Sequence, residues 1–280
     1  MAPAKINLSL DVGAVMPNGY HPVTTVMQAV SLFDEVTVSR SAEQGLRLCC
    51  SDATLVCDRR NTALRAALAF EQRFGPLGGI DIYLKKGIPM QAGLAGGSTD
   101  AAAVLTALNR LFGSPFSLSA LCEMASSVGA DVPFCLQGGT QLATGIGTTL
   151  SPAPPMPDCA LVIAKPAIGV STAEAYKAID AAPLCDGTTP AMLAALQSGD
   201  IGAVAAALGN RFEKALALPQ VSALRDAMLQ MGALGAQMSG SGSAVFGIFD
   251  NEQKAAVCAQ ALSQQVFAAV CRPLPHGTEG

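Results

Sequence analysis

The stretch Pro89–Ala102, PMQAGLAGGSTDAA, decides how this chain is read. Gly93, Gly96 and Gly97 lead into Ser98, Thr99 and Asp100, and Ala101, Val104, Leu105, Leu108 and Leu111 then recur at helical spacing. Glycines let a backbone come close to a ligand and take up positive φ. A helix that starts directly after them turns its free N–H groups and the positive end of its dipole onto the loop. That arrangement holds phosphate. The same residues also suit an ordinary Gly-rich helix start. No Gly-Lys-Ser/Thr closes the loop, so it is not a Walker A motif.

Working outward, Gly78-Gly79 precede an alternating strand, Ile80–Leu84. Before it, Asn61 or Thr62 can cap a helix to Phe74 with Leu64, Ala67, Leu68 and Phe74 inward. The chain opens on Lys5–Val12, where Ile6, Leu8, Leu10 and Val12 point one way and Lys5, Asn7, Ser9 and Asp11 the other. This pattern predicts a half-buried strand with a polar face. A turn at Met16-Pro17-Asn18-Gly19, then β-like runs at Val23–Val30, Glu35–Val38 and Leu46–Cys50, predict antiparallel strands in succession. After the loop, Ser117 caps a helix that Gly129 ends, which puts Asp131 between a helix end and a following strand. Gly138–Ile146 reads as one more strand.

The Pro-rich, uncharged run Ser151–Pro157, SPAPPMP, is the best boundary. It predicts two domains, residues 1–155 and 156–280. Beyond it come a buried strand at Ala160–Ala164 and a helix capped by Thr172 and carrying Tyr176. Short helices follow from Pro190 to Met231, then a Gly/Ser turn runs into a strand in Met238–Phe249, MSGSGSAVFGIF. A helix capped by Asn251 and a strand at Val266–Cys271 close the chain. The fold class is α+β, with a small antiparallel sheet in the second half.

Half of the 280 residues are hydrophobic and 14% are charged, so the chain folds as a globular protein. A net charge of −4 and a pI near 5.2 give no basic surface for nucleic acid or membrane. The nine cysteines include no C-x-x-C and predict reduced core thiols in a cytoplasmic protein. His21 and His276 stand far apart, so no His-based metal cluster is expected. The start lacks a signal-peptide pattern. Glycines and serines interrupt the longest uncharged apolar stretch, Ala227–Phe249, so no membrane span is expected.

The chemistry that would use a polar first strand, a phosphate cradle, a second Gly/Ser loop and Asp131 is phosphoryl transfer. Phosphates need backbone N–H donors, a lysine offsets developing charge, and a carboxylate accepts the proton of the attacking hydroxyl. Brought together, Lys5 would keep Asp131 ionised and lower the pKa of an acceptor hydroxyl. Taken singly, each feature has a plainer reading: Lys5 as a solvated surface residue, Asp131 as a helix stop, GSGS as a flexible turn.

The sequence resembles the GHMP kinase family, named for galactokinase, homoserine kinase, mevalonate kinase and phosphomevalonate kinase. PAKINLSL is similar to its first motif, PMQAGLAGGSTDAA to its second and MSGSGSAVFG to its third, in order and spacing over the whole chain. With PNGYH at Pro17–His21 and VGADVPF at Val128–Phe134, the chain looks most like a particular branch. That branch phosphorylates the 2-hydroxyl of the methylerythritol part of a cytidine diphosphate sugar alcohol, in the non-mevalonate route to isoprenoid precursors. The resemblance implies a first domain like ribosomal protein S5 domain 2, with an antiparallel or mixed sheet, and a ferredoxin-like second domain. It implies ATP and Mg²⁺, a small-molecule acceptor, and a monomer or weak homodimer.

By the same resemblance Lys5 and Asp131 are the catalytic pair. The ATP phosphate loop comprises Pro89, Met90, Gln91, Ala92, Gly93, Leu94, Ala95, Gly96, Gly97, Ser98 and Thr99, with Asn61 near adenine. Asn7, Tyr20 and His21 fall on the substrate side, as do Thr172 and Tyr176, the two tyrosines stacking on cytosine from opposite sides. No residue is assigned to a metal. Gln91, Ala92 and Ala95 depart from a loop usually richer in glycine, and a Cβ at Ala95 could crowd the phosphates or resist positive φ. Thr99 replaces a usual Ser. Asp100 is expected to point away from the phosphates or towards a metal. Alternatives are another kinase of this fold, of homoserine or mevalonate type, or a nucleotide-binding regulator without catalysis.

Overall fold

A computed structural model describes residues 1–280 except Asn18, Leu184, Cys185, Glu279 and Gly280, so Asn18 of the expected turn lies outside the described residues. The first half runs β1 (Ala2–Val12), β2 (Val23–Ser41), β3 (Gly45–Cys50), α1 (Thr62–Phe74), β4 (Gly79–Lys85), α2 (Gly96–Leu111), α3 (Leu118–Val128), α4 (Val132–Gln137), β5 (Thr140–Thr144) and β6 (Thr149–Pro152). The second adds β7 (Ala160–Lys165), α5 (Thr172–Ala181), α6 (Thr189–Ser198), α7 (Ile201–Ala206), β8 (Gly209–Asn210) and α8 (Arg211–Leu216). It ends with α9 (Pro219–Gln230), β9 (Gly235–Met238), β10 (Val245–Phe249), α10 (Glu252–Leu262) and β11 (Phe267–Cys271).

A seven-stranded sheet has the order β3-β4-β2-β1-β8, with β5 added on β2 and β6 on β5. A four-stranded antiparallel sheet follows the order β11-β7-β10-β9. The described fold is thus α+β with two sheets, as the sequence predicts. Within the first sheet β3 runs parallel to β4, with α1 between them, so this part is a crossover unit and the sheet is mixed rather than purely antiparallel.

The two runs expected at Val23–Val30 and Glu35–Val38 are one strand, β2. No glycine, proline or asparagine separates them. The register slips from Pro3 opposite Phe33 to Ala4 opposite Val30, so Ser31 and Leu32 bulge out of the ladder instead of turning the chain. The bulge is tied down by Ser31 N–H to the Arg272 carbonyl and by Arg272 N–H to Ser31 Oγ. β2 then pairs β1 and β5 with its first part and β4 with its second.

β1 is buried on both faces, not one. Ala4, Ile6 and Leu8 join a core with Leu161, Ile163, Phe246 and Ile248 of the second sheet. Removing Ile6 to Ala there costs about 2–5 kcal/mol. The opposite, polar face carries Lys5, Asn7 and Ser9, all buried. A second register slip between Asn7 and Ser9 breaks the alternation. Ser9 Oγ repairs it by accepting the Val26 N–H at 3.1 Å and meeting Thr189 Oγ1 at 2.9 Å.

A second core cluster lies between the first sheet and α1–α3, and a third between the second sheet and α5, α9 and α10. All eight cysteines of the described residues are free, and four of them, Cys135, Cys159, Cys258 and Cys271, are buried. No helix among the described residues is long and apolar enough to cross a membrane.

Candidate active site

The middle of β1, the Gly-rich loop, α4, the start of α5 and the Gly/Ser loop before β10 meet around one cavity of about 490 Å³. Its floor is polar. Lys5 Nζ donates to Asn7 Oδ1 at 2.6 Å, Asn7 Nδ2 donates to Thr25 Oγ1 at 2.8 Å, and Thr25 Oγ1 donates to the Ser9 carbonyl at 2.5 Å. This relay fixes the Asn7 amide and the lysine head. Lys5 is therefore a buried cation with an assigned partner, not a solvated surface lysine.

Asp131 faces Lys5 across the cavity, with 3.9 Å between Nζ and Oδ2. It precedes a short helix, α4, not the strand expected from the sequence. Val132-Pro133 explains this, because proline is favoured in a first helical turn. Asp131 holds the N-cap position of α4 yet makes no capping bond, so its carboxylate stays free and its side chain is 39% exposed. A hydroxyl oxygen at about 2.8 Å from both Nζ and the carboxylate fits in a gap of this length.

The Gly-rich loop is fixed by its neighbours. Lys5 N–H donates to the Leu94 carbonyl at 3.1 Å, and Ala244 N–H to that of Ala92 at 3.0 Å. Ser239 Oγ donates to the Gly93 carbonyl at 3.0 Å, and Thr62 Oγ1 to that of Gly97 at 2.6 Å. Gly93 has φ +73°, and a Cβ there would fall 2.0 Å from the Ser239 carbonyl oxygen. Only glycine fits. Gln91 and Ala95 adopt left-handed φ of 49° and 58°. The non-glycine loop thus keeps the left-handed backbone, at roughly 1–2 kcal/mol per residue. Ala95 is the N-cap of α2, and no side chain caps that helix. Its first N–H groups are left for a ligand.

Asp100 turns away from the loop. It is buried and its Oδ2 accepts from Lys86 Nζ at 2.6 Å, while Lys86 also pairs with Asp34.

The Gly/Ser loop is held from beneath. Asn210 Nδ2 donates to the carbonyls of Met238 and Gly240 at 2.7 and 2.9 Å, and its Oδ1 caps α8. Gly240 packs so closely on Gly93 that a Cβ would lie 2.9 Å from the Gly93 carbonyl oxygen and 3.2 Å from Lys5 Nζ.

On the side facing α5, His21 Nδ1 lies 2.9 Å from the Gly13 carbonyl and Nε2 3.2 Å from Asp180 Oδ1. Tyr176 stacks on the His21 ring at 5.1 Å and meets Phe212 edge-on. Burial, with Asp131 nearby, pushes the Tyr176 phenol up. Tyr20 is exposed. The cap of α5 is Ser171, in a capping box with Glu174, and Thr172 is the first helical residue.

Of the residues singled out in the sequence, Lys5, Asn7, Gln91, Gly93, Ala95, Ser98, Asp131, Thr172 and Tyr176 line the cavity. Ala92, Leu94 and Thr99 are buried in the base of the loop. Pro89, Met90, Gly96, Gly97, Tyr20 and His21 are not in the lining. Asn61 caps α1 by accepting from Ala63 N–H at 2.9 Å, beside the Thr62–Gly97 bond. Thr25, Ile146, Phe212 and Gly240–Gly242 line the cavity without having been singled out as site residues. The Gly/Ser run did mark the last of these, but Thr25 carries no local signal.

No group of three or more His, Cys, Asp or Glu among the described residues could cage a metal. Asp131 and the Ser98 hydroxyl are oxygen donors at the cavity. One or two such donors beside nucleotide phosphates are what Mg²⁺ ordinarily takes.

The family model for the GHMP kinases N terminal domain matches residues 61–139, and that for GHMP kinases C terminal matches residues 192–269. A 4-diphosphocytidyl-2-C-methyl-D-erythritol kinase of Exiguobacterium sibiricum is 43% identical over 91% of this chain and 90% of its own length. One of Gloeobacter violaceus is 44% identical over 92% and 88%. A crystal structure of 4-(cytidine 5'-diphospho)-2C-methyl-D-erythritol kinase superposes with a TM-score of 0.83 at 34% identity, covering 99% of this chain and 98% of that one. A homoserine kinase of Cytophaga hutchinsonii shares the fold, with a TM-score of 0.78 at 24% identity over 99% and 94%. The two family matches flank the cavity from either half of the sequence, and with relatives this similar over nine-tenths of its length the chain belongs to the GHMP kinase family, in the branch of the 4-diphosphocytidyl-2-C-methyl-D-erythritol kinases.

Proposed function

We propose that this protein transfers the γ-phosphoryl group of ATP to the 2-hydroxyl of 4-diphosphocytidyl-2-C-methyl-D-erythritol, giving the 2-phosphate and ADP. The observation that carries the chemistry is the 3.9 Å gap between Lys5 Nζ and the Asp131 carboxylate, open to the cavity. The acceptor hydroxyl sits in that gap. Asp131 takes its proton as the oxygen attacks phosphorus, and Lys5, held by Asn7, lies beside the forming oxyanion. The uncapped start of α2 and the loop from Gln91 to Ser98 bind the phosphate chain. Mg²⁺, held by the phosphates with Ser98 and Asp131, would neutralise charge on the transferring group.

The cytidine end lies towards α5. Tyr176 and Tyr20 stack on the base, and His21 recognises its edge. In the present structure Tyr176 covers the His21 ring and Asp180 occupies its Nε2, so base binding displaces both. Thr172 and the start of α5 close over the substrate. Asn61, at the cap of α1, stands on the adenine side. The enzyme acts in the cytoplasm, as a monomer or weak homodimer.

The direct test supplies Mg-ATP and the cytidine diphosphate sugar alcohol to protein whose fold is verified by circular dichroism. ADP release that depends on the acceptor supports the reading, and none defeats it. Homoserine and mevalonate, offered in parallel, should release no ADP above background.

A further inference from the structure

Lys165 is the last residue of β7, and its side chain turns back over the segment that follows. Residues 166–171 form a strap from β7 to α5. Val170, Ser171 and Thr172 line the cavity, Ser171 caps α5, and α5 carries Tyr176. Where the strap lies therefore sets where the α5 side of the cavity lies.

The strap has little regular structure to hold it. Pro166 lacks an N–H. Among the described residues, 166–170 make no backbone–backbone hydrogen bond. Pro166 and Val170 are buried at the two ends, Val170 in the core of the second sheet. Between them the backbone is held by side chains. Lys165 Nζ donates to the carbonyls of Pro166 at 2.9 Å and Ile168 at 2.8 Å. Ser243 Oγ donates to the same Ile168 carbonyl at 2.5 Å. Gly169 lies against Gln91, whose Oε1 would be 2.4 Å from a Cβ there.

The Ile168 carbonyl is thus a junction. One of its donors comes from β7, and the other stands directly after Gly240–Gly242, which line the cavity. A lysine ordinarily keeps its ammonium in water. Lys165 is half-buried, burial lowers its pKa, and no carboxylate among the described residues pairs with it. Two carbonyls of one short segment replace the water it gives up, in hydrogen bonds strengthened by its charge.

We infer that Lys165 is a positioning residue for the acceptor: it fixes the strap, and through it Thr172 and Tyr176, against the cavity. This rests on the reading of Thr172 and Tyr176 as acceptor-side residues of a kinase site. Lys165 is not in the cavity lining, so it acts through the strap and not on a substrate. A lysine needed only for the fold would disturb every kinetic constant together. A positioning lysine shifts the constant of the substrate that its strap meets.

The test is steady-state kinetics of Lys165→Met, with Mg-ATP and 4-diphosphocytidyl-2-C-methyl-D-erythritol varied in turn, on protein whose fold is verified by circular dichroism. KM for the acceptor should rise roughly tenfold or more, the size of a lost hydrogen bond to a charged group. Both kcat and KM for ATP should stay within about twofold, because the strap holds the acceptor alike in ground and transition states. Lys165→Arg keeps the charge and the donors and should recover most of the acceptor KM. Ser243→Ala removes the second donor from the Ile168 carbonyl and should raise the same KM roughly threefold. An unchanged acceptor KM in Lys165→Met overturns the inference while the kinase reading stands. Parallel losses in kcat and in both KM values overturn it too, as does an Arg variant no better than Met. Should Lys165→Met fail to fold, Ser243→Ala decides by the same split, and no rise in its acceptor KM rejects the inference. If wild type itself releases no ADP with this acceptor, the kinase reading falls and this inference with it.

Discussion

Lys5 and Lys86 are both almost fully buried, with side chains 6% and 9% exposed, and both face carboxylates. Their surroundings differ in two respects. Lys5 stands 3.9 Å from an aspartate that is 39% exposed and makes no cap bond. Lys86 lies 2.6 Å from an aspartate that is 3% exposed. The first pair leaves room for a third oxygen and a route to it. The second is closed, and its carboxylate Asp34 also holds the backbone of Gly87 and Ile88. Residue type is the same in both, so gap and access decide which pair can do chemistry and which holds the scaffold.

The comparison breaks most readily at the open pair. Asp131→Asn should lower turnover by roughly 10²–10⁴-fold while KM for ATP and acceptor changes little, as steady-state kinetics will report. Unchanged turnover would remove Asp131 from its role. Exchanging the lysines sharpens the contrast. Lys86→Met leaves two buried carboxylates without their cation and should cost about 3–5 kcal/mol in urea unfolding. Lys5→Met should cost clearly less stability and far more turnover, because Asp131 remains in contact with water.

A smaller effect concerns pH. Asp100 is raised to about 7 in the folded protein, above the ordinary carboxylate value. Its neutral form is favoured by folding, so this contribution to stability is complete below pH about 4 and is lost as pH rises through about 7. Wild type should therefore lose stability relative to Asp100→Asn across that window in urea unfolding, and the two should run parallel outside it. The smallest effect falls on the loop between the pairs. Ala95→Gly relieves a left-handed alanine and should raise stability by about 0.5–1 kcal/mol, measured the same way.

Much of this was legible in the sequence because the signals are local. The Asn61 and Ser117 caps, the Gly-rich loop before α2 and the Gly/Ser turn before β10 all follow from residues within a few positions of each other. Lys5 and Asn7 could be placed on one strand face by alternation alone. What escaped depends on distant partners. β2 reads as two strands because its bulge is stabilised by Arg272 from the far end of the chain. Thr25 looks like any strand threonine until Asn7 and the Ser9 carbonyl are placed beside it. Asp34 and Lys86 resemble solvated charges in sequence, and only the fold buries them together. Asp131 precedes a helix rather than a strand because Pro133 suits a first turn, a local signal that points either way after Gly129.

One short element has a consequence for assembly. β8 is two residues long, and it runs beside Ser9 and Leu10 of β1 as that strand's only partner on one side among the described residues. Its Asn210 also carries the carbonyls of the Gly/Ser loop. A polypeptide ending before Gly209 would contain Lys5, Asp131 and the whole phosphate loop, yet leave the Ser9–Leu10 edge of β1 without its strand partner. A bare strand edge recruits other strands. Competence thus arrives late on the ribosome: the nascent chain must emerge well past its midpoint before its first strand is sheltered.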